Sequence, residues 1–219
     1  MGQGEVATII ERVPQGLKRA LRPAWWRVRR FVFPPAMPRN ADGTVRLHLG
    51  CGAIDAPGYI NIDLRPTSNV HFVHDVAPLE MFADGSVNLI YASHVLAHLL
   101  VAEAKDAIGE WHRVLKRGGV LRVAVPDFAV MARMYMERVP FETILGPLMG
   151  DQGYEQNRHK SAFDEQYLRR LMEEAGFRGV ERWDPATVSW HDFEDTSSKR
   201  YEINGRQYRI SLNLQGVKE

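Results

Sequence analysis

The stretch RLHLGCGAIDAPGYINIDL, residues 46–64, constrains the fold more than any other part of the chain. It reads as a short apolar strand, a glycine turn and a second strand with an acidic residue, Asp63, near its end. In an open α/β sheet, ligands bind beyond the carboxyl ends of the strands, where strand order reverses. Gly50 and Gly52 give the backbone the freedom to approach a ligand there, and Cys51 between them offers only a small side chain. Asp63 follows Gly52 by eleven residues, and a carboxylate so placed can accept both hydrogen bonds of a vicinal ribose diol.

A dinucleotide site asks for more. It wants a third glycine in G-x-G-x-x-G, opening a helix whose N-terminus faces a pyrophosphate. Here Asp55 stands near the third-glycine position, and Pro57 and Gly58 break any helix. A carboxylate in an anion cradle suits a nucleoside without phosphates better, and S-adenosyl-L-methionine (SAM) is the obvious ligand of that kind.

Downstream, VNLIYA and VLRVAVP read as strands on either side of an amphipathic helix. That helix carries Ala104, Ala107, Ile108, Trp111 and Leu115 on one face, with Lys116 and Arg117 in its last turn and Gly118-Gly119 beyond. Strand, helix, strand favours a parallel sheet. A second helix is expected over Phe128 to Arg138, with Met131, Met134 and Met136 filling a core or lining a pocket. Residues 139–162 read as irregular. FDEQYLRRLMEEAGF is a helix with Asp164 and Glu165 in its first turn, facing inward through Phe163, Tyr167, Leu171 and Ala175. FRGVERW and YRISLNLQGV close the chain as strands around a polar excursion of about 25 residues.

Charge divides the chain. Residues 12–39 hold eight Arg and Lys and no acid, whereas 20 bases face 25 acids from residue 40 onward. The expected organisation is a basic, aromatic extension over 1–40 and one domain over 41–219. The extension, with Trp25, Trp26 and Phe31 among its bases, either packs back on the domain or rests on an anionic membrane surface. Nothing downstream resembles a nucleic-acid module. A single cysteine, with no secretory signal and no apolar run long enough to span a bilayer, points to the cytoplasm, with the inner membrane face as the place of any peripheral contact.

LHLGCG, NIDL, NLIYASHVLAHL, EWHRVLKRGGVLRVAVPD, FDEQYLRRLMEEAGF and ISLNLQGVK occur in that order. Together they resemble a class I SAM-dependent methyltransferase of the type 11-like group, over roughly residues 45–219. The resemblance implies a Rossmann-like α/β sheet, mostly parallel with an antiparallel last strand, flanked by helices. It implies that Gly50, Cys51 and Gly52 approach the methionine and sugar of SAM. Asp63 would bind the ribose, Leu64 would lie against the adenine, and Asp75 with Val76 would meet the adenine amino group. Ala92, Ser93 and His94 would end the fourth strand where methyl group and acceptor meet. Two positions depart from the group's pattern: Asn88 stands for an acid at the start of that strand, and Ala97 for a glutamate one turn beyond Ser93-His94.

Methyl transfer to a hydroxyl needs alignment and a base. His94 is the candidate base and His98 could assist, each set against a structural role for the same imidazole. Asn157 and His159, in QNRHKSAFDEQ, would wall the acceptor side if this stretch folds back. Asp127 either borders that side or caps the next helix, and the cap is the favoured reading. HVLAH lacks the glutamate of H-E-x-x-H, so no metal is expected. The expected activity is O-methylation of a small molecule or of a sugar of a surface glycan. The alternatives are a non-catalytic SAM-binding or assembly module and, less favoured, an NAD-dependent oxidoreductase.

Overall fold

The computed structural model describes residues 35–153 and 155–219. The basic extension therefore lies outside the described residues except for its last six. Seven strands form one sheet in the order β3-β2-β1-β4-β5-β9-β6. In chain order they are β1 (Arg46–Leu49), β2 (Ile60–Asp63), β3 (Phe72–Val73), β4 (Val87–Ser93), β5 (Leu115–Pro126), β6 (Phe177–Arg182) and β9 (Ser211–Lys218). A separate hairpin, β7 (Tyr201–Ile203) with β8 (Arg206–Tyr208), lies before the last strand. All pairings from β3 to β5 are parallel, and β9 runs antiparallel between β5 and β6. The expected sheet, with its antiparallel last strand, is the one observed.

Alternation along β4 divides the core. Ile90 and Ala92 join the cluster under helices α1 (Val101–Val114) and α4 (Glu165–Glu174), while Leu89 and Tyr91 face Tyr59, Ala124 and Trp183 on the other side. Helix α1 buries Ala104, Ala107, Ile108, Trp111 and Val114, and the Trp111 indole donates to the Val76 carbonyl at 2.8 Å. Asp164 precedes α4 as its N-cap rather than standing in the first turn, accepting the Tyr167 amide at 2.8 Å.

Four expectations are corrected. Helix α1 stops at Val114, and Leu115, Lys116, Arg117 and the two glycines belong to β5, where they bulge out between the Val87–Leu115 and Leu89–Val120 pairs. The cation expected at the helix end comes instead from Lys218, whose ammonium donates to the carbonyls of His112 (2.7 Å), Arg113 (3.2 Å) and Leu115 (2.8 Å). Lys116 meets Asn88, whose side-chain oxygen also accepts the Val45 amide, so the departure at Asn88 has a structural use at the end of β4 remote from the site. Residues 139–162 are not irregular throughout: α3 (Phe141–Met149) forms after α2 (Phe128–Met136), with Pro147 inside it. Ile144 and Leu148 pack there with Met131, Met134, Val139 and Tyr208, and this packing outweighs the breaker residues. Met131 and Met134 fill that core, but Met136 is 77% exposed.

The face opposite α1 and α4 is covered by residues 184–200, so the polar excursion is partly interior. His191, Asp195 and Ser197 are buried, and Phe193 stacks on His48 with ring centroids 5.6 Å apart. His48 also meets Tyr59 and Tyr91, and its Nδ1 has no hydrogen-bond partner among the described residues. Burial pushes the His48 imidazole down to about 4. Below pH 6.5 the unfolded chain takes up a proton at His48 that the folded one refuses, so this residue's share of the stability falls with pH until about 4 and is gone beneath it. His48 alone accounts for about 3 kcal/mol over that window. A His48→Phe variant keeps the ring packing and loses this dependence. Urea unfolding at pH 7 and pH 4.5 checks it, and an unchanged difference between the two pH values in the variant would contradict the assignment.

Candidate functional site

Strand order reverses between β1 and β4, so the glycine turn and the end of β4 share one crevice. The chain leaves β1 through Gly50 (φ +62°) and Gly52 (φ +58°), a left-handed conformation that favours glycine. A Cβ on Gly50 would also collide with the Val95 side chain. The Gly50 amide donates to the Ile62 carbonyl at 2.8 Å, pinning the turn to β2. The Gly52 amide donates to Asp63 Oδ2 at 2.8 Å, and the Arg65 amide donates to Asp63 Oδ1 at 2.8 Å with the Arg65 Nε at 3.3 Å. An ionised carboxylate has about four acceptor positions. The described contacts leave one on Oδ2 for a ligand donor.

No helix follows the turn. Asp55, where a dinucleotide site would have glycine, accepts from the Asn61 side chain at 3.1 Å, and the Asn69 amide group holds the carbonyls of Ile54 (2.7 Å) and Gly52 (3.3 Å). The turn is thus an open backbone cradle beside a carboxylate, which suits a neutral sugar better than a diphosphate. Cys51 is buried, and burial pushes its thiol up to about 12, with the Asp63 charge adding to the effect. It stays protonated and is not a nucleophile. Leu64 is 53% exposed beside Asp63, an apolar surface available to a flat base. Asp75 is exposed and accepts the Val76 amide at 2.6 Å, while Val76 itself is buried against the core.

At the end of β4, Ala92 is buried and Ser93 half-buried. His94 takes a left-handed backbone (φ 56°), uncommon for a residue with a side chain and a form of local strain found at functional sites. Its amide donates to the Ala124 carbonyl at 2.7 Å, and its Nε2 lies 3.1 Å from Ser211 Oγ. Burial pushes the His94 imidazole down to about 4, with the negative charge of Asp195 opposing the shift, so the ring is neutral at physiological pH.

His98 and His159 meet edge to face with centroids 4.9 Å apart. His98 Nδ1 donates to the Arg158 carbonyl at 3.2 Å, and His159 Nδ1 to the Leu148 carbonyl at 3.3 Å. Burial lowers both imidazoles. The amides of Lys160 (2.7 Å) and Ser161 (3.2 Å) donate to the Ala97 carbonyl, so the stretch carrying Asn157 and His159 does fold back against the turn after β4. Gly150 permits the reversal, because a Cβ there would collide with the Asn157 carbonyl. Asp127 is buried and accepts the amides of Ala129 (3.0 Å) and Val130 (3.3 Å), which makes it the cap of α2.

Sequence reasoning missed Arg65, Tyr91, Asp195 and Ser211. Burial by itself would raise the Asp195 carboxyl, but hydrogen bonds from Ser197, Tyr91 and Ser93 outweigh it and hold it below its usual range. Asp195 lies in a run of polar residues that reads as solvated, and only Phe193 beside it hinted at burial. A cleft of about 400 Å³ lined by Lys105, Glu110, Arg113 and Glu174 lies on the flank of α1 and α4, away from the strand ends. Chemistry, not cavity volume, locates this site.

A family model described as a methyltransferase domain (type 11) matches residues 59–123, from the start of β2 into β5. No curated protein matches the chain by sequence. Among solved structures, a possible exported protein of Bordetella parapertussis shares 16% identity, covering 95% of this chain and 70% of that one at a TM-score of 0.52. A SAM-dependent methyltransferase from Archaeoglobus fulgidus shares 15% identity, covering 92% and 98% at a TM-score of 0.50. Likeness at such identity speaks for the fold. Residues 59–123 match a methyltransferase domain, and the fold around them is shared with a solved SAM-dependent methyltransferase.

Proposed function

We propose that the protein O-methylates a small molecule or a sugar of a surface glycan. The observation that carries this reading is His94, a neutral imidazole held in a strained backbone at the strand end that faces the glycine turn. A hydroxyl acceptor must lose its proton as it is methylated, and a neutral imidazole positioned beside it can take that proton. When bound, SAM supplies a methyl group on a sulfonium primed to leave. Asp63 would hold the ribose, Gly50, Cys51 and Gly52 would present backbone to the sugar and methionine, and Leu64, Asp75 and Val76 would receive the adenine. Ala92 and Ser93 would lie beside the methyl group, with His98, Asn157 and His159 on the acceptor side and Asp127 serving through the α2 cap. The glycan half of the proposal rests on the resemblance and on the basic, aromatic extension, which would bring the enzyme to the inner membrane face. No helix among the described residues is long and apolar enough to cross a membrane.

A non-catalytic SAM-binding module is the second reading, and Ala97 favours it. That residue is 1% exposed and offers only a methyl group where the related pattern has glutamate. Calorimetry and turnover separate the two. Asp63→Ala should weaken S-adenosylhomocysteine binding at least about tenfold under either reading, through loss of a charge-assisted hydrogen bond. Unchanged affinity would sink the pocket assignment, and NAD binding in a parallel titration would favour an oxidoreductase.

The enzyme reading makes its own demand. With methyl-labelled SAM and a panel of phenols, monosaccharides and nucleotide sugars, His94→Ala should lower turnover about 10²- to 10⁴-fold while S-adenosylhomocysteine affinity stays within a few-fold. Because His94 must be neutral to accept a proton, the wild-type rate should stay level above about pH 5 and drop through about 4. A limb near pH 7 would assign the base to another group. Transfer to no member of the panel, with S-adenosylhomocysteine still bound, would leave the non-catalytic module as the better reading.

A further inference from the structure

We infer that His94 is held as the Nε2–H tautomer, so that Nδ1 is the atom that accepts the proton, with Ser211 and Asn213 as the positioning residues. The inference rests on the reading of His94 as the base. The main-chain carbonyl of Ser197 can only accept a hydrogen bond. Asn213 Nδ2 lies 3.1 Å from it, so the amide must turn its NH₂ toward Ser197 and its Oδ1 away. Ser211 Oγ lies 2.9 Å from that Oδ1, and the hydroxyl must spend its single proton there. Only lone pairs remain on Ser211 Oγ for His94 Nε2 at 3.1 Å. Nε2 therefore carries the hydrogen, and in a neutral ring Nδ1 carries the lone pair.

The chain is anchored at its far end. The amide (2.8 Å) and hydroxyl (2.5 Å) of Ser197 both donate to Asp195 Oδ1, while the Tyr91 hydroxyl donates to Asp195 Oδ2. Ser197, Ser211 and Asn213 are each at most 4% exposed, so bulk water does not compete for these bonds. Protonation of His94 leaves Nε2–H donating as before, and no member of the chain has to reorient. The acceptor oxygen gains the methyl carbon as the carbon–sulfur bond breaks, and its proton passes to Nδ1, leaving an imidazolium and a neutral thioether. Asp195 favours that imidazolium through its buried negative charge. A site preorganised in this way needs little rearrangement as charge develops.

The tautomer can be read without knowing the acceptor. In protein labelled with ¹⁵N-histidine, long-range ¹H–¹⁵N correlation spectra at pH 7 distinguish a protonated from an unprotonated ring nitrogen, and His94→Asn assigns the His94 signals by their loss. The expected result is Nε2 protonated and Nδ1 bare in the wild type. Ser211→Ala removes the acceptor and should shift the ring to a mixture of tautomers, whereas Ser211→Thr keeps a hydroxyl and should restore the wild-type pattern. A wild-type His94 protonated at Nδ1, or a Ser211→Ala spectrum identical to wild type, overturns the inference. An Nε2–H tautomer combined with undiminished turnover in His94→Ala would overturn the base reading while leaving the hydrogen-bond chain intact.

Discussion

The Gly52 amide donates to the Asp63 carboxylate, and this bond ties the exit of β1 to the end of β2. Its geometry needs a left-handed residue at 52 and a buried acceptor at 63, eleven residues on. Once both are in place, the cradle and the carboxylate form one rigid unit rather than two mobile ends. The Gly50 amide reinforces it from the Ile62 carbonyl, and Val95 packs where a side chain on Gly50 would lie. Because β4 adjoins β1, the same packing brings Ser93 and His94 to the rim of the turn. The glycine turn, Asp63 and the candidate base are thus positioned by backbone contacts of the central strands.

The second constraint comes from the other end of the chain. β9 inserts between β5 and β6, and its residues serve three purposes. Lys218 satisfies the last carbonyls of α1, Leu214 accepts from the Trp183 indole at 3.1 Å, and Ser211 reaches His94. Residues 184–200 then lie across the face that no described helix covers, bringing Asp195 under Tyr91 and Ser93. Among the described residues Asp195 has no ion-pair partner, and a buried carboxylate so placed is tolerable only when several hydrogen bonds satisfy it; it has them from two hydroxyls and a main-chain amide besides Ser93. The same acid depresses neither His94 nor His48; burial does that, and the carboxylate partly offsets it.

The sheet and the glycine turn with its acid were legible because their signals are local. Gly50, Gly52 and Asp63 stand within fourteen residues, and the alternation in β4 and the helical spacing in α1 need no distant partner. Errors arose where distant partners decide. Lys116 and Arg117 looked like helix-end cations, but Lys218, over a hundred residues away, holds that place. Gly146 and Pro147 read as breakers, yet α3 forms because Ile144 finds Met131, Met134 and Tyr208. His94 could be named from its position after β4, whereas its partner could not: Ser211 is 117 residues away and is an ordinary strand serine in the sequence.

The most direct measurement is a crystal structure of the complex with S-adenosylhomocysteine. The expected result is a ribose hydroxyl donating to the open position on Asp63 Oδ2, adenine between Leu64 and Val76 with its amino group toward Asp75, and the sulfur facing Ser93 and His94. A nucleoside bound with its ribose out of reach of Asp63, or a sulfur remote from His94, would contradict it.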